Sequence, residues 1–354
     1  MLNKQVTVAV VGCGRISEAA HFPALSRIEN VRIKYACDLI PEKAEDKVKR
    51  YGAEQAITDY KIALNDPEVD VVYVLTPNYV HYTVTMDALR AGKHVFCEKP
   101  ITINYKLSCE MAEQAQKSGK LLNIGVCNRY HKTVELIEEM NRKGELGNLY
   151  HVYCSFRCYR SIPGLGGSFT TKAISGGGVL IDWGIHYLDL ILYILGGAKL
   201  KTVTCDAYSE MAKVISEYKY KGMWAGPPIP DGINDVEDYI TGHIRTDKAS
   251  ITFSGAWAQN VNRSDTFIDF LGDKAGIRMD YCGHYSLFKI VDGEFVEERP
   301  DYSIPDMYER EDRDFLECTL TGKRNRNYID NILESAKLLD FLYQSSEQKH
   351  EISF

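Results

Sequence analysis

Short apolar runs alternate with segments of helical periodicity over the first 127 residues of the chain. In the helical segments the apolar residues recur every three or four positions, as at Val80, Val84, Ala88 and Ala91. The apolar runs predict five strands, at Val6–Val11, Val31–Cys37, Val71–Leu75, His94–Cys97 and Leu121–Ile124. This alternation of strands and helices predicts an α/β domain over residues 1–127, with a doubly wound parallel sheet.

The pattern changes after Asn128, and residues 128–354 are predicted to form a second domain. A helix is expected near Thr133–Arg142, and from Val152 to Tyr159 the apolar residues recur with a period of two, as in a strand with one covered face. The further strands are predicted at Thr202–Tyr208, Tyr239–Arg245, Ser250–Trp257, Thr266–Leu271 and Leu287–Val291. The C-terminal residues return to helix, with an apolar stripe at Ile332, Ala336, Leu339 and Tyr343. We therefore expect an α+β domain with a large, mostly antiparallel open sheet.

The open face of that sheet has a consequence for assembly. A large sheet face that is half apolar is often buried between identical subunits. We therefore expect a homodimer or homotetramer formed through the open sheet.

Composition narrows the possible partners and the location. The 354 residues are 45% hydrophobic and 26% charged, which is typical of compact domains. A formal net charge of −7 gives no basic field, so we expect neither nucleic acid nor a membrane as a partner. The first apolar run, Val6–Val11, is too short for a signal peptide or a membrane span, which favours the cytoplasm. The ten cysteines include no C-x-x-C pair, so we expect free thiols and no metal site.

The first strand runs into a glycine turn and then a helix, within the segment Val8 to Ser17. Gly12 allows a tight turn, and Gly14 lets a pyrophosphate approach the backbone at the helix N-terminus. Ser17 stands where this dinucleotide-binding pattern prefers a third glycine or alanine. The position after the first strand predicts a dinucleotide site.

Asp38, at the end of the second predicted strand, indicates which dinucleotide is bound. A carboxylate there accepts hydrogen bonds from the ribose hydroxyls and repels a 2′-phosphate, which favours NAD over NADP. The alternative is that Asp38 only caps the helix that follows Pro41.

Two segments lie at the carboxyl ends of predicted parallel strands, where open α/β sheets bind their ligands. Thr76-Pro77-Asn78 leads to His81, and Glu98-Lys99-Pro100 follows the fourth strand. A lysine is usually a plain surface residue, but Lys99 is held between a strand end and a proline that restricts its backbone. We therefore expect Lys99 to act in the site.

A second chemical signal lies further along the chain. Gly176, Gly177 and Gly178 open a very apolar predicted helix that runs to Leu195. Asp182 and His186 are four residues apart and would share one face of it. Because burying either group alone is costly, they line a wet cleft or form a hydrogen-bonded pair in the core.

In combination and order, these motifs resemble the Gfo/Idh/MocA oxidoreductase family over nearly the whole chain. The resemblance rests on the glycine turn at Gly12–Ser17, Thr76-Pro77-Asn78 to His81, Glu98-Lys99-Pro100, Asn128-Arg129-Tyr130, and Gly176 through Asp182 to His186. It implies a Rossmann domain, a second domain that binds substrate and mediates oligomerisation, and a catalytic cleft between them.

The resemblance also implies roles for individual residues. Lys99 would hold the substrate hydroxyl, His186 would be the general base, and Asp182 would orient the substrate or tune its neighbours, with no metal required. The cofactor NAD would be bound by Gly12, Gly14, Arg15, Ile16, Asp38, Thr76, Pro77, Asn78, His81, Glu98 and Lys99. The substrate, a sugar or cyclitol oxidised at a secondary carbinol, would be bound by Lys99, Arg129, Tyr159, Asp182 and His186.

Two other functions remain open at this stage. One is a glycoside hydrolase that oxidises its sugar transiently with NAD, and the other is a regulator that binds a dinucleotide without catalysis. The long connection between Tyr208 and Val236 contains Trp224 among glycines and prolines, and we expect it to influence specificity. Tyr159, Trp224 and Trp257 are candidates for stacking on a sugar ring.

Overall fold

The computed structural model describes residues 4–219 and 222–354. Residues 1–3, where the predicted first domain begins, and residues 220 and 221, in the connection that carries Trp224, lie outside the described residues. The helices are α1 Phe22–Ser26, α2 Pro41–Tyr51, α3 Tyr60–Asn65, α4 Asn78–Arg90, α5 Tyr105–Ser118, α6 Lys132–Arg142, α7 Lys172–Ser175, α8 Ile185–Ile194, α9 Met307–Thr321 and α10 Leu333–Gln348. Two π-helical turns, Ser17–His21 and Leu180–Gly184, directly precede α1 and α8.

The first sheet has six parallel strands, and it confirms the doubly wound arrangement. Its strands are β1 Val6–Val11, β2 Val31–Cys37, β3 Gln55–Ile57, β4 Val71–Val74, β5 His94–Glu98 and β6 Leu122–Gly125. The spatial order is β3-β2-β1-β4-β5-β6, so the strand order reverses between β1 and β4. Ligands of open α/β sheets bind beside the carboxyl ends of the strands at such a reversal.

The second sheet has nine strands and is mostly antiparallel, as predicted. Its strands are β7 Leu149–Arg157, β8 Leu200–Tyr208, β9 Tyr239–Thr246, β10 Ser250–Ala256, β11 Asp265–Gly272, β12 Ala275–Asp280, β13 Tyr285–Val291, β14 Glu294–Glu298 and β15 Ile352–Ser353. The spatial order is β14-β13-β12-β11-β7-β10-β9-β8-β15, and within the described part of this second sheet only β7 and β10 pair in parallel. On the covered face, Phe156 of β7 stacks on Tyr187 of α8 with ring centroids 4.9 Å apart.

The chain forms two compact units whose boundaries differ from the two predicted segments. The first unit contains Met1–Tyr130 and Pro305–Leu333, and the second contains His131–Ile304 and Glu334–Phe354. Residues 305–333 belong to the first unit because α9 packs on the first sheet. There Phe315 contacts the rings of Tyr73 and Phe96, with centroids 6.2 and 5.8 Å apart.

One helical stretch among the described residues, Lys172–Ile194, is long and apolar enough to cross a membrane. Its apolar window is 78% buried inside the protein, as core helices are. The stretch is therefore weak evidence for a membrane span.

Candidate functional site

The glycine turn after β1 has the backbone that the dinucleotide interpretation requires. Gly12 has a φ of 102°, and a Cβ at this position would lie 2.4 Å from the carbonyl oxygen of Leu75. A Cβ at Gly14 would meet no atom within 4 Å, so the backbone faces open space there. Ser17 is fully buried, and its hydroxyl donates to the Gly14 carbonyl at 2.7 Å. The serine thus fills the place of the usual third glycine by tying the helix to the turn.

Asp38 follows β2, and its carboxylate is joined to the glycine turn. Its Oδ2 accepts a hydrogen bond from the backbone N–H of Cys13, and its Oδ1 accepts one from Ile40, both at 2.9 Å. Helix α2 begins after Ile40 without a side-chain cap, so Asp38 does not act as its N-cap. Each carboxylate oxygen retains a further lone pair that can accept a ribose hydroxyl.

His81 of α4 joins the loops that follow β4 and β5. Its Nε2 lies 2.8 Å from the Thr76 carbonyl, and its Nδ1 lies 2.8 Å from the Pro100 carbonyl. Carbonyl oxygens only accept, so both ring nitrogens must donate. Although burial opposes the charged form, the neighbouring Cys97 and the two carbonyls raise the pKa of His81 to about 9. His81 is 1% exposed, so its ring bonds to these two loops and not to solvent.

Lys99 lies directly after β5, in a half-buried position, and its peptide bond to Pro100 is cis. Its backbone N–H donates to Oε2 of Glu98 at 2.8 Å. The other carboxylate oxygen of Glu98 lies 3.0 Å from Nε2 of His21, and Nδ1 of His21 lies 3.2 Å from Asp312 of α9. The backbone that carries Lys99 is therefore connected to a buried chain of polar side chains.

These features together fit a dinucleotide. The backbone at Gly12 and Gly14 leaves room for a pyrophosphate, and the carboxylate of Asp38 lies beside the same turn. The buried hydroxyl of Thr76 has no hydrogen-bond partner among the described residues, so it can serve a bound ligand. Arg15 is exposed at the turn, and Ile16, Pro77 and Asn78 line the same edge of the sheet with at least partial exposure.

In the second unit, a buried carboxylate holds the start of the segment that carries Asp182 and His186. The Glu237 carboxylate accepts hydrogen bonds from the N–H groups of Gly178 and Leu180, at 2.9 and 3.0 Å, and from the Tyr343 hydroxyl at 2.8 Å. A Cβ at Gly177 would lie 2.1 Å from the Tyr343 hydroxyl, and one at Gly178 would lie 1.9 Å from the Glu237 carbonyl. The glycines are thus required by close packing.

The predicted helix from the glycines to Leu195 is present as a continuous helical run, but its first turn is a wider, π-helical one that the sequence does not predict. Asp182 lies in the π-helical turn Leu180–Gly184, and His186 lies in the first turn of α8. The wider turn arises where Gly184 has no side chain and Leu180 packs against it, since a Cβ there would lie 2.8 Å from Leu180. Asp182 and His186 are both half-buried, so solvent reaches them on this segment.

The remaining candidates for substrate binding lie in different environments. Arg129 belongs to the first unit, is 4% exposed and donates to the Asn331 carbonyl at 3.0 Å. Tyr159 belongs to the second unit and carries the Arg160 guanidinium 4.4 Å above its ring. Trp257 is 1% exposed, whereas Trp224 is 44% exposed. Of the two tryptophans, Trp224 is the one with a ring surface open to a ligand.

Sequence reasoning missed His21, Asp312, Glu237 and Tyr343. His21 stands four residues after Ser17 on an apolar helix, and Glu237 opens an acidic pair directly before a strand, so both positions carried a signal. Tyr343 counts as an apolar position of the predicted C-terminal helix, so the pattern gives no sign that its hydroxyl forms a hydrogen bond. Asp312 lies in an acid-rich helix, where no pattern separates it from its neighbours.

Comparison with known proteins agrees with these features. Residues 6–126 match the family model "Oxidoreductase family, NAD-binding Rossmann fold", and residues 134–278 match "GFO/IDH/MocA C-terminal domain". D-glucoside 3-dehydrogenase of Escherichia coli (strain K12) is 30% identical over 278 residues, which are 78% of this chain and 77% of that protein. Myo-inositol 2-dehydrogenase of Thermotoga maritima is 27% identical over 189 residues, 53% of this chain and 54% of that protein.

Solved structures support the fold. The crystal structure of an oxidoreductase domain protein from Kribbella flavida has a TM-score of 0.87, covers 99% of both chains and is 19% identical. At this identity the likeness concerns the fold alone. The predicted fold class and the NAD-binding first domain are confirmed.

Proposed function

The chain belongs to the Gfo/Idh/MocA oxidoreductase family, and from that premise we propose that it is an NAD-dependent dehydrogenase of a sugar, glycoside or cyclitol. The observation that carries this proposal is the 30% identity to a D-glucoside 3-dehydrogenase across 78% of the chain. The more distant inositol dehydrogenase keeps cyclitols within the substrate class. Of these two substrate classes, glucosides and cyclitols, we rank glucosides first.

We propose that three side chains act on the substrate. Bound NAD supplies the hydride acceptor for the carbinol carbon. The Lys99 ammonium donates a hydrogen bond to the substrate oxygen and stabilises the negative charge that develops there. His186 takes the hydroxyl proton during oxidation, and Asp182 orients the substrate. Support comes from the position of Lys99 at the carboxyl end of β5 and from the partial exposure of Asp182 and His186.

We assign the wider contacts in the same way. NAD contacts the glycine turn, the loops after β4 and β5, and Asp38, whose carboxylate favours NAD over NADP. Tyr159 and Arg129 are assigned to substrate binding. These assignments rest on the position of each residue in its own unit and on the family resemblance.

We also propose that the protein works in the cytoplasm as a homodimer or homotetramer. All ten cysteines are free thiols, which is usual in a reducing compartment. On the open face of the second sheet, Tyr153 is 37% exposed and its ring centroid lies 5.7 Å from that of Phe267. Exposed aromatic rings on a sheet face favour contact with a second copy of the chain.

The proposed function is tested by following NADH absorbance with purified protein, NAD and a panel of D-glucosides, free sugars and inositols. We expect steady NADH formation with at least one glucoside or inositol. Cleavage of a glycoside without NADH accumulation would support the hydrolase instead. Binding of a sugar to the NAD complex without turnover would support a regulator.

A further inference from the structure

The three residues Glu98, Lys99 and Pro100, which we call the lysine turn, are held on both sides by buried histidines. On one side, His21 contacts the Glu98 carboxylate at 3.0 Å, and the same carboxylate accepts the Lys99 backbone N–H at 2.8 Å. On the other side, His81 donates to the Pro100 carbonyl at 2.8 Å. The backbone before and after Lys99 is therefore fixed by side chains of other elements.

The first contact extends into a buried polar chain. His21 is 0% exposed, Asp312 is 0% exposed and Glu98 is 5% exposed. Burying such groups is costly, and well-packed apolar residues in their place are often as stabilising or more so. The stability of the fold therefore does not explain why three ionisable groups are buried here. Their hydrogen bonds do offer an explanation, because each one fixes the orientation of the groups that it joins.

The elements joined by this chain bear on the site. His21 ends the π-helical turn that begins at Ser17, directly after the glycine turn. Asp312 lies on α9, the helix that returns to the first unit from the C-terminal part of the chain. The lysine turn is thus fixed relative to the glycine turn by hydrogen bonds within one unit.

We propose that Glu98, held by His21, and His81 are positioning residues that set the direction of the Lys99 side chain. This rests on the proposed function, because it needs Lys99 to act on the substrate. In this proposal Glu98 and His81 act by positioning Lys99 and not by direct contact with NAD. The reaction is sensitive to such control, since a misplacement of about 1 Å can cost about 100-fold in rate.

The test compares a loss variant with a conservative one. Glu98→Ala removes both contacts, whereas Glu98→Gln keeps an oxygen for the Lys99 N–H and an amide that can pair with His21. We expect Glu98→Ala to lower kcat about 100-fold with the Kd for NAD within a few-fold. Glu98→Gln should restore kcat to within a few-fold of the wild type. His21→Leu should behave like Glu98→Ala.

Glu311→Gln is the matched control. Glu311 is as buried as its neighbour Asp312, but its Oε1 accepts from Asn123 and Asn327, at 3.2 and 2.6 Å, and not from His21. Burial, together with the neighbouring Glu98 carboxylate, raises the pKa of Glu311 above its usual range, and a glutamine keeps an Oε1 acceptor for both asparagines. We expect kcat within a few-fold of the wild type.

The outcomes separate this inference from the proposed function. If the wild type forms no NADH with any member of the panel, the proposed function fails. If Lys99→Ala retains its rate, Lys99 has no part in the mechanism and the positioning role fails with it. If Lys99→Ala is inactive while folded Glu98→Ala and His21→Leu keep a normal kcat, the positioning role alone fails. Loss of activity in Glu98→Gln equal to that in Glu98→Ala would also overturn it, because the charge and not the position would then matter.

A second variant decides the case if the Glu98 and His21 variants do not fold. His81→Asn keeps a single donor nitrogen, which can reach only one of the two carbonyls. We expect about a tenfold lower kcat, since one hydrogen bond is lost at the lysine turn. A normal kcat in this variant would overturn the positioning role of His81.

Discussion

Lys99 carries the largest chemical role in the proposed mechanism. Removal of one preorganised electrostatic stabiliser costs about 100- to 1000-fold in kcat. We expect Lys99→Ala to lose turnover by at least this factor, while the Kd for NAD stays within a few-fold because the lysine acts on the substrate. Steady-state kinetics and a fluorescence titration with NADH measure the two quantities. An alanine variant with a near-normal rate would remove Lys99 from the mechanism.

Asp38 determines the choice of dinucleotide in our account. Replacing it with alanine, together with Leu39→Arg, should shift the ratio of kcat/KM toward NADP, because the carboxylate that repels the 2′-phosphate is lost. Leu39 is 87% exposed, so the arginine can be added without disturbing packing. Asp38→Asn is the control, since it removes the charge and keeps an acceptor for the Cys13 N–H. A wild type that already prefers NADP would refute our interpretation of Asp38.

At the scale of elements, the glycine start of the segment with Asp182 and His186 is a packing requirement. Gly178→Ala places a Cβ 1.9 Å from the Glu237 carbonyl, so we expect a loss of roughly 1–3 kcal/mol in the free energy of unfolding. Gly167→Ala is the control, because no atom lies within 4 Å of its Cβ position. Denaturant titrations measure both. Equal stability of the two variants would contradict the packing argument.

The connection between β8 and β9 is held against an earlier loop of the second unit. Ala225 donates to the Pro163 carbonyl and Ile229 to the Leu165 carbonyl, both at 2.9 Å, and the Trp224 ring packs against Phe169 with centroids 4.8 Å apart. These contacts anchor Trp224 and leave it 44% exposed.

We expect Trp224→Ala to raise KM or change the sugar preference without changing the Kd for NAD, because the loop belongs to the second unit. Phe169→Leu is the control, since it weakens the ring contact and keeps the indole, and it should have the smaller effect. Kinetics across the sugar panel measure both variants. Unchanged kinetics in Trp224→Ala would leave the indole a packing role only.

For the whole molecule, the sequence predicts what local patterns determine. β1 and β2 were predicted at their observed bounds because their apolar runs are continuous. Four of the described strands are absent from the prediction: β3, β12, β14 and β15. β3 and β14 are mostly exposed and show no alternation, β12 contains a glycine and two charged residues, and β15 has only two residues. The return of α9 to the first unit was missed because its buried face includes Glu311 and Asp312, which break the apolar period.

The residues of the candidate site likewise fall into those that local sequence indicates and those that it does not. Gly12, Asp38 and Lys99 follow strands and were found from the local sequence. The chain from His21 to Asp312 joins residues 291 positions apart, and Glu237 meets Tyr343 across 106 positions. No local pattern encodes such pairs, so the supporting residues emerge only from the folded structure.

The buried His81 makes stability depend on pH. Its pKa is about 9 in the folded protein against 6.5 normally, so the folded state holds the proton more tightly. This contribution is fully present below pH 6.5 and is lost as the pH rises through 9. We expect the Tm to fall over this range, and to fall less in His81→Gln, measured by calorimetry. Parallel slopes in the two proteins would show that His81 is not charged in the fold.

The central claim is a direct hydride transfer from a carbinol carbon to NAD. The most direct test incubates the protein with NAD and glucosides or inositols that carry deuterium on every ring carbon, followed by mass spectrometry of the NADH. We predict that each NADH carries one deuterium taken from the substrate. NADH formed without deuterium, or no NADH from any member of the panel, would contradict the account.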